Sequence, residues 1–362
     1  MNKPRVLLIQ DILYPYRIPI LDLVAAEVDL EVACVEKGKG VGETAFPVTL
    51  LRTKSFGGCK TMPGLTACCN RFDVVILQPH LSRPSVCALP FRKKRSFIPV
   101  SWDIGVRVSY DRQYTLDRPM TWDDRIYRHI MRHCAANIFY MPEPVPVWAA
   151  RGVPECTLFV AHNTVSVKQS PYAPDGRKDF LFVGTLYARK RVDLLIDAYR
   201  EAFISSGSPG SFPRLFIVGG GSEEMLLMEK VRREGLEERV VFCHAVYDET
   251  VLASLFQRSI LCISPHQAGL SVLKSFAYGT PFVTRRDAIS GGEINNIRSG
   301  ENGILYDEDG DLARILADAA GHPGRYLEMG RAAHCFYREQ ASPERMAQGI
   351  LDAVHYAVSH PL

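Results

Sequence analysis

Short apolar runs alternate with amphipathic stretches along most of this chain. Arg5-Val-Leu-Leu-Ile9 is continuously apolar, the pattern of a strand buried on both faces of a parallel sheet. A polar loop follows, and Pro15 opens a helix carrying Ile18, Leu21, Leu23 and Val24. Further strands are predicted at 30–35, 46–50, 74–77, 97–100, 136–140 and 157–160, with helices at 82–91, 122–134 and 144–151. This alternation predicts an α/β fold with a doubly wound, Rossmann-like parallel sheet, whose ligands sit beyond the carboxyl ends of the strands.

From His162 to Lys178 the periodicity is lost and proline and polar residues accumulate, which marks a linker. Order returns with a strand at 180–183 and a helix at 192–203, where Leu195, Ala198, Tyr199 and Ala202 form one stripe. Strands at 215–218, 240–243, 260–263 and 282–283 and a helix at 249–257 repeat the alternation. Helices at 312–320, 325–337 and 343–358 close the chain. The predicted organisation is a first domain at 1–165, a linker at 166–179, a second doubly wound domain at 180–340, and a C-terminal helix at 341–362 returning toward the first.

The stretch 263–284 concentrates the candidate chemistry. A strand closed by Ser264-Pro265 leads through a polar loop to Gly269, a helix over 270–278 stopped by Gly279, and another strand. Free amides at Gly269, Leu270 and Ser271 would face a phosphate at the helix start. In the basic turn Gly184–Arg191, three cations (Arg189, Lys190 and Arg191) stand at a strand-to-helix junction, which suits a diphosphate or a solvated turn equally. Gly219-Gly-Gly221 fails the dinucleotide fingerprint, because Glu224 holds the third glycine position; it reads as a tight turn near the ligand with Ser222 capping the next helix.

In the first half, three loops meet the sheet edge, at 11–17, 78–80 and 101–105. Asp103 is either a general base or a turn residue before Gly105. His80 and Asp11 are loop residues or site residues, and Arg17 meets a phosphate or sugar hydroxyl, or solvent. Asp307-Glu-Asp309 has D-x-D spacing but reads as a helix-capping turn, so no metal site is predicted.

At 362 residues, 47% hydrophobic and 23% charged, the chain is an ordinary two-domain globular protein. No apolar run approaches the ~20 residues that span a bilayer. A net charge of +3 gives no case for nucleic acid. The ten cysteines form no C-x-x-C pair or spaced framework, which points to small buried hydrophobes in a reducing cytoplasm. Arg92-Lys-Lys-Arg95 is a solvated helix end or a contact with anionic lipid, worth about 1 kcal/mol per basic residue.

Several ordered blocks resemble glycosyltransferase family 4, which has the two-domain GT-B fold. They are Phe182–Ile196, Phe216–Ser222, Arg239–Phe242, Gly269–Leu273 with Ala277–Pro281, and Gly300–Gly303. The resemblance implies two Rossmann-like domains facing each other across a cleft, with a nucleotide-sugar donor held mainly by the second. It implies diphosphate contacts from Arg189, Lys190 and Gly269–Ser271, nucleoside contacts from Lys274, Gly219 and His244, and His266 near the donor sugar. Asp103 would be catalytic with His266, and Arg17 and His80 would lie on the acceptor side. The family's E-x7-E pair maps onto His266 and Lys274, and an arginine common after the first glycine is Thr185. The implied activity is a retaining, hexosyltransferase-like, metal-independent transfer from a UDP-sugar or similar donor to a glycan or lipid-linked glycan, as in polysaccharide biosynthesis. No cofactor is implied; the location would be cytoplasmic, with peripheral contact at the inner membrane face. A catalytically degenerate nucleotide-sugar-binding subunit and a nucleotide-sugar epimerase are the alternatives.

Overall fold

The computed structural model describes residues 3–105, 116, 118–167, 176–207 and 210–361. Two units divide these residues. One contains 3–105, 116, 118–166 and 342–361; the other contains 167, 176–207 and 210–341. Of the expected linker, residues 168–175 lie outside the described residues.

The first unit is built on a seven-stranded parallel sheet: β1 (Arg5–Leu13), β2 (Asp29–Lys37), β3 (Val48–Leu50), β4 (Val74–Leu77), β5 (Ile98–Asp103), β6 (Ala136–Phe139) and β7 (Leu158–Val160). Their spatial order is 3-2-1-4-5-6-7, so the winding reverses between β1 and β4. The apolar runs of β1, β4 and β6 are buried throughout, because helices cover both faces. Helix Pro343–Ser359 belongs to this unit, packing Met346, Ile350 and Val354 into the cluster of Ile20, Leu21 and Val32.

The second unit repeats the plan with six parallel strands: β8 (Asp179–Val183), β9 (Arg214–Val218), β10 (Val240–Phe242), β11 (Ser259–Ile263), β12 (Phe282–Arg285) and β13 (Gly303–Tyr306). The order 10-9-8-11-12-13 puts the reversal between β8 and β11. Buried Arg177 ties its base, donating to the carbonyls of Phe256, Ser259 and Tyr278 and to Thr280 Oγ1. Both units are therefore Rossmann-like.

Several boundaries differ from the sequence reading. The helix expected at 82–91 is a short helix Pro84–Cys87 and a 3-10 turn Leu89–Phe91, because Pro90 lacks the amide a continuous helix needs. The helix expected to run to Cys134 is Trp122–Met131, and it tightens into turn bonds from His133 to Ile130 and from Cys134 to Met131. Ser222 is not a cap: helix Glu224–Arg233 starts after Glu223, which makes no side-chain capping bond. A hairpin of Lys54–Phe56 with Cys59–Thr61 turns on Gly57 and Gly58, both at positive φ, and was not foreseen.

Candidate functional site

The loop after β8 and the loop after β11 leave the second sheet on either side of its reversal, where doubly wound folds bind ligands. They touch directly, since the Tyr187 hydroxyl donates to Gln267 Oε1. The β8 loop is built on backbone contact with the glycine turn after β9. Gly184 donates to the Val218 carbonyl and Leu186 to the Gly220 carbonyl, both at 3.0 Å. A Cβ at Gly219 would lie 1.9 Å from the Gly184 oxygen, and one at Gly221 would lie 2.1 Å from the Leu186 oxygen. This close approach explains both glycines without a ligand.

Of the three cations in the turn, the fold treats each differently. Arg189 is exposed. Arg191, in the left-handed region at φ 51°, pairs with Asp193 at 3.1 Å. Lys190 is only 8% exposed and has no hydrogen-bond or ion-pair partner among the described residues. Its Nζ would lie 3.3 Å from a Cβ at Gly184. Burial pulls its pKa from 10.5 down to about 8. The thiol of Cys262 acts on it electrostatically but supplies no counter-charge at neutral pH, because burial raises that thiol to about 12. A buried ammonium without a partner is costly, and an anion arriving there would relieve it.

The neighbouring segment has the strand–turn–helix–strand form expected from the sequence. Ser264 Oγ donates to the Gln267 carbonyl at 2.7 Å, and Gln267–Ala268 pairs with Ile289–Ser290 in a two-stranded sheet. Helix Ser271–Ala277 follows, shorter than the predicted 270–278. It ends in a Schellman arrangement, with Gly279 (φ 66°) donating to Phe276 and Thr280 to Ser275. The amides of Gly269, Leu270 and Ser271 have no acceptor among the described residues.

Each position where the resemblance expects an acid instead pairs a base with a carboxylate from another element. His266 Nε2 lies 3.3 Å from Asp309 Oδ1, which also meets Arg285. Lys274 Nζ donates to Glu249 Oε2 at 2.8 Å, and Tyr278 donates to the other oxygen of Glu249. His244, at φ 50°, accepts from the Gly219 amide through its carbonyl, and its Nδ1 lies 2.5 Å from Glu224 Oε1. Asp307 pairs with Arg286 at 2.8 Å, so the D-x-D acids serve as ion-pair partners. Among the described residues no three His, Cys, Asp or Glu side chains gather as metal ligands.

In the first unit, Asp103 ends β5 and accepts from the Ile104 amide at 2.6 Å. His80 Nδ1 lies 2.6 Å from Ser82 Oγ on the surface. Arg17 is buried under three aromatic rings (Tyr16, Trp102 and Tyr140) and donates to Asn163 Oδ1 and Met346 Sδ. It borders a cavity of about 190 Å³ that His80 and Asp103 do not line. Gln10, Asp11 and Arg83 line that cavity as well, and Gln10 and Arg83 were absent from the sequence-based candidates. Arg92, Lys93 and Lys94 are exposed and Arg95 is half-buried, while the adjoining Phe91 ring packs against His129 and His133. No described helix is long and apolar enough to cross a membrane.

Residues 177–322 match the family described as Glycosyl transferases group 1, a span holding Lys190, Gly219, His266 and Lys274. The chain is 32% identical over 157 residues to a D-inositol 3-phosphate glycosyltransferase of Acidothermus cellulolyticus, covering 41% of this chain and 33% of that protein. It is 29% identical over 187 residues to a protein of the same name from Gordonia bronchialis, covering 49% and 40% respectively. The matches thus span between a third and two fifths of these curated relatives. Among solved structures, Anabaena Alr3699/HepE in complex with UDP and glucose superposes with a TM-score of 0.67 at 15% identity, covering 97% of this chain and 99% of that one. The lipopolysaccharide outer core galactosyltransferase WaaB superposes at 0.63 with 16% identity, covering 97% and 99%. WaaG, a glycosyltransferase involved in lipopolysaccharide biosynthesis, superposes at 0.57 with 16% identity, covering 95% and 98%. Residues 177–322 thus carry a segment similar to Glycosyl transferases group 1, on a chain whose two Rossmann-like units share the fold of these solved glycosyltransferases.

Proposed function

We propose that the protein transfers a sugar from a nucleoside diphosphate donor to a glycan or lipid-linked glycan acceptor. The observation that carries this reading is Lys190, a buried cation with no partner among the described residues at the reversal point of the second sheet. In the transfer, an acceptor hydroxyl oxygen bonds to the anomeric carbon while the bond from that carbon to the diphosphate breaks. The electron pair leaves on the diphosphate, so the step needs positive charge and hydrogen-bond donors in place beforehand. Lys190 supplies the charge, and the amides of Gly269–Ser271 supply donors, so we propose that no metal is needed. Arg189 reaches the same group from the exposed side of the turn.

A UDP-sugar is the proposed donor, supported by the UDP and glucose named with the HepE complex. We assign the nucleoside side to Gly219, His244 and Lys274, with Glu249 providing the carboxylate that the lysine position lacks. His266 faces the donor sugar, supported by Asp309. Asp103 takes the acceptor hydroxyl proton, and the Arg92–Arg95 stretch touches anionic lipid.

The test is nucleoside diphosphate release from a panel of UDP-, GDP- and ADP-sugars. Replacing Lys190 by Ala should cost about 10²–10³ in turnover, the range seen when one stabilising donor is removed. Full turnover in that variant would remove Lys190 from the site. The bases at His266 and Lys274 also favour a second reading, a binding subunit without catalysis. Tight donor binding without release on any acceptor would select it.

A further inference from the structure

We propose that the cavity of the first unit is the subsite for a single acceptor ring, polyhydroxylated and bearing one anionic group. This rests on reading the chain as a glycosyltransferase, and it narrows the acceptor class. The cavity lies where β1 outruns its neighbour: Ile9 pairs with Leu77, and Gln10 and Asp11 continue past the end of β4. That is the reversal point of the sheet.

Three groups there lack what buried groups normally have. Gln10 is 6% exposed, and its Nε2 has no hydrogen-bond partner. Arg17 is 8% exposed and has no carboxylate partner among the described residues; it donates only to the neutral Asn163 and Met346, so its charge is not neutralised. The buried Asp11 Oδ1 accepts no hydrogen bond, and its nearest cation, Arg83, stands 3.9 Å away. Buried polar groups are otherwise paired, and a charge is costliest when it is not.

A ligand completes all three only if it carries both kinds of group. Hydroxyls can accept from Gln10 and donate to Asp11. An anion answers the charge left over when two arginines face one aspartate. Tyr14 and Tyr16, stacked 5.6 Å apart, provide an apolar wall for a ring face. At about 190 Å³ the cavity falls below the ~300–1,000 Å³ of drug-sized pockets, so it houses a single ring.

The anion can be a carboxylate or a phosphate, and calorimetry on the full chain separates them. The probes are glucuronate, glucose 6-phosphate, neutral methyl glucoside and inorganic phosphate. One acidic sugar should bind at least tenfold more tightly than methyl glucoside and inorganic phosphate, and its affinity should fall with salt. Gln10→Met loses no protein hydrogen bond, so it should keep the melting temperature while weakening the acidic sugar about tenfold. Arg83→Gln should weaken the acidic sugar similarly and leave methyl glucoside unchanged. Equal binding of neutral and acidic sugars, equal binding of phosphate alone, no binding of either acidic sugar, or no effect of both variants would overturn the proposal. No nucleotide is present, so failure here is separate from failure of the transferase reading, which donor turnover decides.

Discussion

Replacing Lys190 by Met should make the ligand-free protein more stable and the enzyme much slower. Methionine keeps the length and most of the volume of the lysine stem but removes the ammonium. Lowering that group from its ordinary 10.5 to about 8 corresponds to about 3 kcal/mol against the charged form. No described ion pair offsets this cost, so at pH 7 the variant should gain about 1–3 kcal/mol, less whatever the new side chain loses in packing. For a domain of 150–250 residues, each kcal/mol moves the melting temperature by roughly 2–4 °C. Thermal unfolding of the nucleotide-free variant at pH 7 reads the first effect, and diphosphate release reads the second. The sign with pH follows from linkage. The folded state sheds the Lys190 proton near pH 8 and the unfolded state near 10.5, so wild-type stability rises with pH across that window. The variant should lack this rise. A variant destabilised by more than about 1 kcal/mol at pH 7, or one with near-wild-type turnover, would refute the picture of a strained cation held for a diphosphate.

Other consequences are simpler to state. The kcat/KM for the donor should fall as pH rises through about 8, because the free enzyme then loses the Lys190 charge. A pH profile flat from 7 to 9 would count against it. Gly221→Ala drives a methyl into the Leu186 carbonyl and should cost roughly 3 kcal/mol of stability, read by denaturant unfolding. Lys274→Glu puts a second carboxylate against Glu249 and should cost about 1–2 kcal/mol, between the surface and buried limits for a broken pair. Restoring the charge order with Glu249→Lys in the same chain should recover most of that loss.

Much of this fold was legible in the chain because its apolar runs are the buried strands themselves. Val74–Leu77 and Glu249–Gln257 match the predicted spans residue for residue. The structure departs from the apolar pattern where local chemistry decides. Pro90 broke a helix that hydrophobic spacing alone would continue, and Gly57-Gly58 made a hairpin within a stretch that lacks strand periodicity. The site was harder. Arg189, Lys190 and Arg191 look alike in sequence, and only the 3-10 turn of the chain decides which is buried. The partners of His266 and Lys274 lie 43 and 25 residues away, beyond any spacing rule. Gln10 ends an apolar strand and reads as its boundary. That it outlasts the neighbouring strand, and so faces a cavity, depends on the pairing register of β1 with β4.

The most direct measurement is product analysis of the wild-type protein incubated with the nucleotide-sugar panel, with and without a panel of neutral and acidic sugar and glycan acceptors. Equimolar nucleoside diphosphate and new glycoside, both dependent on acceptor and both lost in Lys190→Met, are the expected result. An isomerised donor formed without diphosphate release, or no chemistry with any donor, would contradict the assignment as a transferase.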